Sequence, residues 1–223
     1  MINKIKVIVM SSVLALFSTG TYAAPSFDSM AVGLTGSWGV YKADGTENTN
    51  GSKQSEEGEL EVAFGSVFFE VDTGQITLGL DYIPMESDSN EVSGIRQENE
   101  HPMPSPSAKT NKASVTIQDH VTIYALAPLG DLGIYAKLGF SQMKVKTNEV
   151  LATGGAYDDI SDAQGYHFGI GYETDVDSDF FVRAGITYHD YDTISATNKN
   201  NTDIKVTADL DGTTADISIG RRF

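Results

Sequence analysis

The chain has 223 residues, with 15 Lys and Arg against 31 Asp and Glu, 22 glycines, 6 prolines and no cysteine. A net charge of −16 provides no basic patch for nucleic acid, and the lack of cysteine excludes disulfides, thiolate metal sites and a Cys nucleophile. With 40% hydrophobic residues the chain can bury a core, and its length suits one all-β barrel or sandwich.

Met1–Ala23 reads as a secretory signal peptide. Lys4 and Lys6 precede the apolar stretch Val7–Phe17, and Thr21-Tyr22-Ala23 places small residues around a cleavage point. That stretch is too short to span a bilayer as a helix. Removal of Lys4 and Lys6 takes the charge from −16 to −18 and leaves residues 24–223 as the mature domain.

The rest of the chain alternates with period two, the signature of strands with two chemically distinct faces. Ala31–Tyr41 sets Val32, Leu34, Trp38 and Val40 against Gly33, Thr35, Ser37 and Gly39. Glu57–Phe69 sets Leu60, Val62, Phe64 and Phe68 against Glu59, Glu61, Ala63 and Gly65. Similar alternation follows at Gln75–Met85, His120–Ala125, Ile134–Ser141, Gly165–Glu173, Val182–His189 and Ala215–Phe223, giving eight predicted strands. Short connections at Glu70–Gly74, Pro128–Leu132 and Asp175–Asp179 alternate with long polar segments at Lys42–Glu56, Glu86–Lys112, Thr147–Ala163 and Asp192–Gly212. This pattern describes an up-and-down antiparallel meander. Ile204, Val206, Ala208 and Leu210 run out of phase with Ala215–Phe223, which predicts a bulge or loop near Asp211-Gly212.

The faces suit lipid outside and a polar lumen inside. A narrow eight-stranded barrel fills with side chains, and closing it satisfies every backbone hydrogen bond in the hydrocarbon. A soluble sandwich with one wet face per sheet is the competing fold. In the barrel register the inward polar set comprises Glu59, Glu61, Asp81, His120, Lys137, His167, Glu173, Arg183, Asp216 and Arg222. Enclosed charges must pair, so these residues are expected to form an ion and hydrogen-bond network. Tyr124, Tyr135 and Arg183 are large enough to plug it. Trp38, Tyr82, Tyr166, Tyr172 and Tyr188 lie near strand ends as candidate interfacial girdles.

A signal peptide, eight alternating strands, the loop-length pattern, Tyr124–Ser141 (YALAPLGDLGIYAKLGFS) and a terminal Phe223 resemble the small outer-membrane β-barrels of Gram-negative bacteria. The likeness is to the OmpA-like, OmpX-like and opacity-protein group. It implies an outer-membrane location and contact with lipid and lipopolysaccharide. It also implies that the barrel assembly machinery reads a C-terminal signal, here Ile217, Ile219 and Phe223. Arg221 departs from the group, which carries an aromatic there.

Little catalytic chemistry is visible. The four histidines, His101, His120, His167 and His189, lack metal-ligand spacing. No His is followed two residues on by Ser, and His189-Asp190 would point to opposite faces of a strand. Asp175–Asp179 resembles the start of a calcium loop, but Phe180 stands where the EF-hand needs Gly and Ile186 where it needs Glu. No cofactor is expected; acidic loops such as Tyr157–Asp162 offer oxygen ligands for loosely bound Ca²⁺ or Mg²⁺. The expected function is structural or surface-interactive, through loop contacts with lipopolysaccharide, host or phage. A small porin-like channel is the alternative, followed by a rim enzyme acting on lipid or peptide.

Overall fold

The computed structural model describes residues 28–49, 52–96, 109–150, 156–158 and 160–223; the predicted signal peptide and His101 lie outside them. Ten strand segments form one antiparallel sheet: β1 (Ser29–Thr49), β2 (Ser52–Asp72), β3 (Thr77–Tyr82), β4 (Ser87–Asp88), β5 (Val92–Arg96), β6 (Lys109–Pro128), β7 (Ile134–Val150), β8 (Ile160–Asp175), β9 (Phe180–Thr197) and β10 (Ile204–Arg222). β1 pairs with β10 from Ala31↔Arg222 to Thr49↔Ile204, which closes the ring. β3, β4 and β5 all pair with β6 and together make one wall strand, so the barrel has eight. That wall strand is interrupted at Ile83-Pro84-Met85, because Pro84 has no N–H to give to a ladder.

The three short turns lie where the sequence places them. Gly74, Gly130 and Gly133 adopt φ near +80°, and Gly74 N–H donates to Asp72 Oδ1 at 2.8 Å in an Asx-type turn. Two of the long polar segments, by contrast, are mostly strand. The predicted loop Lys42–Glu56 is a continuation of β1 and β2, and Asp192–Gly212 is a continuation of β9 and β10 around a turn at residues 198–203.

These extensions stand clear of the membrane. β1 has 21 residues, which at ~3.3 Å per residue gives a strand of roughly 70 Å, or about 50 Å of height at a tilt near 40°. An outer-membrane apolar band is only about 25 Å tall. On β1 the outward apolar run is Met30, Val32, Leu34 and Trp38, followed by exposed Lys42 and Asp44. Outward Leu138, Ile170, Ile186 and Ile217 are all more than half exposed, as lipid-facing residues must be without lipid.

Three bulges mark the level where the wall leaves this band. The β6–β7 register shifts between Gln118 and Val121, the β7–β8 register between Met143 and Val145, and the β9–β10 register between Ala208 and Leu210. The extra residue lies on β6, β8 and β9 respectively. At the β6 bulge Asp119 takes φ +50°, and its carboxylate pairs with Lys144 Nζ at 2.5 Å. One inserted residue exchanges the two faces of everything beyond it. Odd-numbered residues of β9 therefore face inward up to Tyr191, and Ile194 and Ala196 face inward above it.

β10 has no break at Asp211-Gly212. Its even-numbered residues face inward throughout, from Ile204 to Gly220. The predicted phase change is a change in lumen chemistry along one continuous face, and the bulge at that level belongs to β9.

Candidate functional site

The lumen has two compartments. The lower one, towards the short turns, is polar and filled. Arg183 on β9 crosses it to Glu70 on β2, with Nη1–Oε1 at 2.5 Å and Nη2–Oε2 at 2.8 Å, a bidentate fork. Glu70 is only 1% exposed, so its charge depends on this pairing. Tyr124 OH donates to Glu70 Oε1 at 2.6 Å, and Arg183 Nε donates to Glu173 Oε2 at 2.5 Å. Arg222 extends the chain of ion pairs to Glu173 and Asp175. Phe181, fully buried, lies beneath both guanidinium groups, 4.6 Å from Arg183 and 4.3 Å from Arg222, and packs on Phe68 at 6.2 Å.

Most of the predicted polar set meets in this compartment. Ser66 Oγ donates to Asp81 Oδ2 at 2.7 Å, Thr187 Oγ1 donates to Asp216 Oδ2 at 3.0 Å, and Lys137 Nζ lies 4.9 Å over the Tyr124 ring. The three described histidines converge just above. His167 and His189 rings are 5.2 Å apart, and His120 packs edge-on to Phe64 at 6.4 Å. The polar cavity these groups surround has a volume of only about 50 Å³.

Glu59 and Glu61 are corrections. They face outward and are exposed, whereas Leu60, Val62, Phe64, Ser66, Phe68 and Glu70 face inward. β2 carries large apolar residues on both faces, so alternation alone does not fix its phase. Phe68 and most of the other lumen rings fit inside because they sit on glycines. Phe68 pairs across the ladder with Gly33, Tyr124 with Gly79, Tyr135 with Gly171, Phe181 with Gly220, Tyr41 with Gly212 and Tyr191 with Gly165. A Cβ at Gly79 or Gly220 would lie 2.2 or 2.3 Å from the partnering ring. Glu70, assigned to a turn by its sequence position, is therefore the main lumen residue that the alternation missed.

Above the histidines, Tyr41 and Tyr191 (6.4 Å apart) and His189 form a layer of rings, with His189 stacked on Tyr191 at 6.3 Å. Tyr191 is buried and contributes a ring face to this layer. Above that layer the second compartment is apolar, with Val62, Met143, Val145 and Ala163 buried among Leu60, Ile117, Ile194 and Leu210. The outside of the same wall is charged: Glu59, Glu61, Lys144, Lys146, Lys205 and Asp209 are exposed.

The aromatic set faces outward as expected. Trp38 (53% exposed), Tyr82, Tyr166 and Tyr188 lie towards the long-loop end and Tyr172 towards the turns. Ile217 and Ile219 are outward and exposed, and Phe223 pairs with Met30 through both backbone groups. Arg221, on the same outward face, lies 5.0 Å over Phe223 and 5.6 Å over Phe180 and reaches Asp179 at 3.3 Å. Among the described residues no group of three or more His, Asp or Glu is arranged to hold a metal.

Solved structures of known proteins align with this chain. OprG of Pseudomonas aeruginosa aligns over 87% of this chain and 96% of its own, with a TM-score of 0.51 and 11% identity. The Escherichia coli outer-membrane protease OmpT aligns over 91% and 99%, at 0.49 and 10% identity. Ail of Yersinia pestis aligns over 86% and 99%, at 0.35 and 13% identity. At such identities the likeness concerns the fold alone. No curated protein matches the chain in sequence. The family model for the outer membrane protein beta-barrel domain matches residues 10–223. The chain thus belongs to the outer-membrane protein β-barrel domain family, and is an antiparallel barrel of the Gram-negative outer membrane.

Proposed function

We propose that the protein is a non-conducting, non-enzymatic barrel that anchors an acidic wall outside the cell for contact with other surface components. The observation that carries this reading is the Arg183–Glu70 fork across the lumen, sealed by Tyr124, Glu173 and Phe181. An ion would have to displace a buried, fully paired charge to pass, which is costly. Among the described residues, the three histidines lie within the lumen, among Tyr and Phe rings, and not at a rim where an enzyme would need them.

The long-loop end faces outward in this reading, with the short turns and Phe223 in the periplasm, where the assembly machinery would read Ile217, Ile219 and Phe223. Glu57, Glu59, Glu61, Asp209 and their neighbours then face the lipopolysaccharide headgroups. Acidic side chains meet phosphates only through bridging cations, so the contact of these carboxylates with lipopolysaccharide depends on Ca²⁺ or Mg²⁺.

Two experiments test the proposal. Planar-bilayer recordings of the pure protein should show no steady conductance; a stable open channel would favour the porin-like alternative. Lipopolysaccharide should bind the protein in nanodiscs with Mg²⁺ and be released by chelator. Binding that survives chelation, or never occurs, contradicts the cation-bridged contact.

A further inference from the structure

The apolar upper compartment encloses a cavity of about 310 Å³. Leu60, Val62, Ile117, Met143, Ile194 and Leu210 contribute to its lining, and among the described residues no charged one does. Its wall is inverted relative to the membrane-embedded half, with charges outside and apolar groups inside. A wall that needed only rigidity would be packed solid. Here Ala43, Ala196 and Ala208 face the cavity and leave space.

We infer that this compartment is a blind binding cup for one small uncharged apolar molecule. A cavity of about 150 Å³ lined by aliphatic and aromatic groups takes up benzene, so this volume suits a bicyclic body or an alkyl chain of similar size. A charged ligand would be stripped of water with no counter-charge in the lining. The lining hydroxyls of Ser89 and Tyr157 are already engaged, donating to Asn90 O and to Glu47 Oε2, each at 2.9 Å. The cup is blind because Tyr41, His189 and Tyr191 floor it and the Arg183–Glu70 fork lies below. It therefore retains its ligand and does not pass it on. The inference stands whether or not the outer wall contacts lipopolysaccharide.

Methionine methyl NMR in nanodiscs reads this directly. Met143 lines the cavity, whereas Met30 and Met85 face outward and are 48% and 67% exposed. Titration with 1-naphthol should shift Met143 saturably, while Met30 and Met85 follow only the linear uptake of naphthol by lipid. The anion 1-naphthalenesulfonate should leave Met143 unmoved. Filling the cup with Ala43→Trp, or with Val206→Phe should the first fail to fold, should abolish saturation while the heat-modifiable gel mobility of a closed barrel is kept. A Met143 response that is linear like that of Met30, equal for the anion, or unchanged in a folded filled variant overturns the inference.

Discussion

Arg183 and Glu70 lie 113 residues apart in the chain and meet in a two-point hydrogen-bonded fork across the lumen near its short-turn end. Strands β2 and β9 do not pair with each other, so the fork ties opposite walls across the lumen. Removing one partner leaves the other charge buried. Arg183→Met should lower stability by roughly 3–5 kcal/mol, whereas removing both charges in Arg183→Met/Glu70→Gln should restore much of the loss. Urea unfolding in detergent measures both; equal losses in the single and double variants would contradict the coupling.

The glycine–ring pairs make a second prediction. A Cβ at Gly212 would meet only the Tyr41 ring, at 2.3 Å. Gly212→Ala should cost about 1–3 kcal/mol, and the cost should largely vanish in a Tyr41→Ala background. Additive effects in that double-mutant cycle would show that the ring does not impose the glycine.

Lipid exposure separates two outward residues. Leu138 is 67% exposed in the middle of the apolar band, so Leu138→Arg should destabilise the folded barrel by roughly 2–4 kcal/mol. Glu61 stands above the band, and Glu61→Arg should change stability by no more than about 0.5 kcal/mol. Similar costs at both sites would move the membrane boundary.

Phe223 pairs with Met30 only through its backbone, and its ring is 66% exposed. Its deletion should therefore slow assembly in cells while detergent refolding proceeds nearly as before. Equal outer-membrane levels of the deleted and full chains would remove its role as an assembly signal.

The membrane-embedded half was legible in the sequence. Leu34 and Trp38, Leu78 and Leu80, Phe168 and Ile170, and Ile217 and Ile219 face lipid as their alternation predicts, because lipid and a polar lumen impose opposite chemistry on adjacent residues. The phase of β2 was not legible. Phe64, Phe68 and Phe69 put rings on both faces, and partners across the ladder, such as Gly33 opposite Phe68, decide which ones fit inside. Glu59 and Glu61 were read as lumen charges because the polar-inside rule was carried past the level where water replaces lipid. Beyond that level the rule reverses, which is also why Lys42–Glu56 and Asp192–Gly212 read as loops. The three bulges on β6, β8 and β9 exchange faces there, and one inserted residue leaves no compositional mark.

The reversal of wall chemistry above the membrane is the central claim, and the absence of native cysteine makes it directly measurable. Single variants Glu61→Cys, Val62→Cys and Leu138→Cys are treated on intact cells with a membrane-impermeant maleimide. Rapid labelling at position 61, protection at 62 and protection at 138 is the predicted result. Labelling at 62 with protection at 61 would mean that β2 has the opposite phase, and the apolar cup and the acidic outer wall would both fall with it.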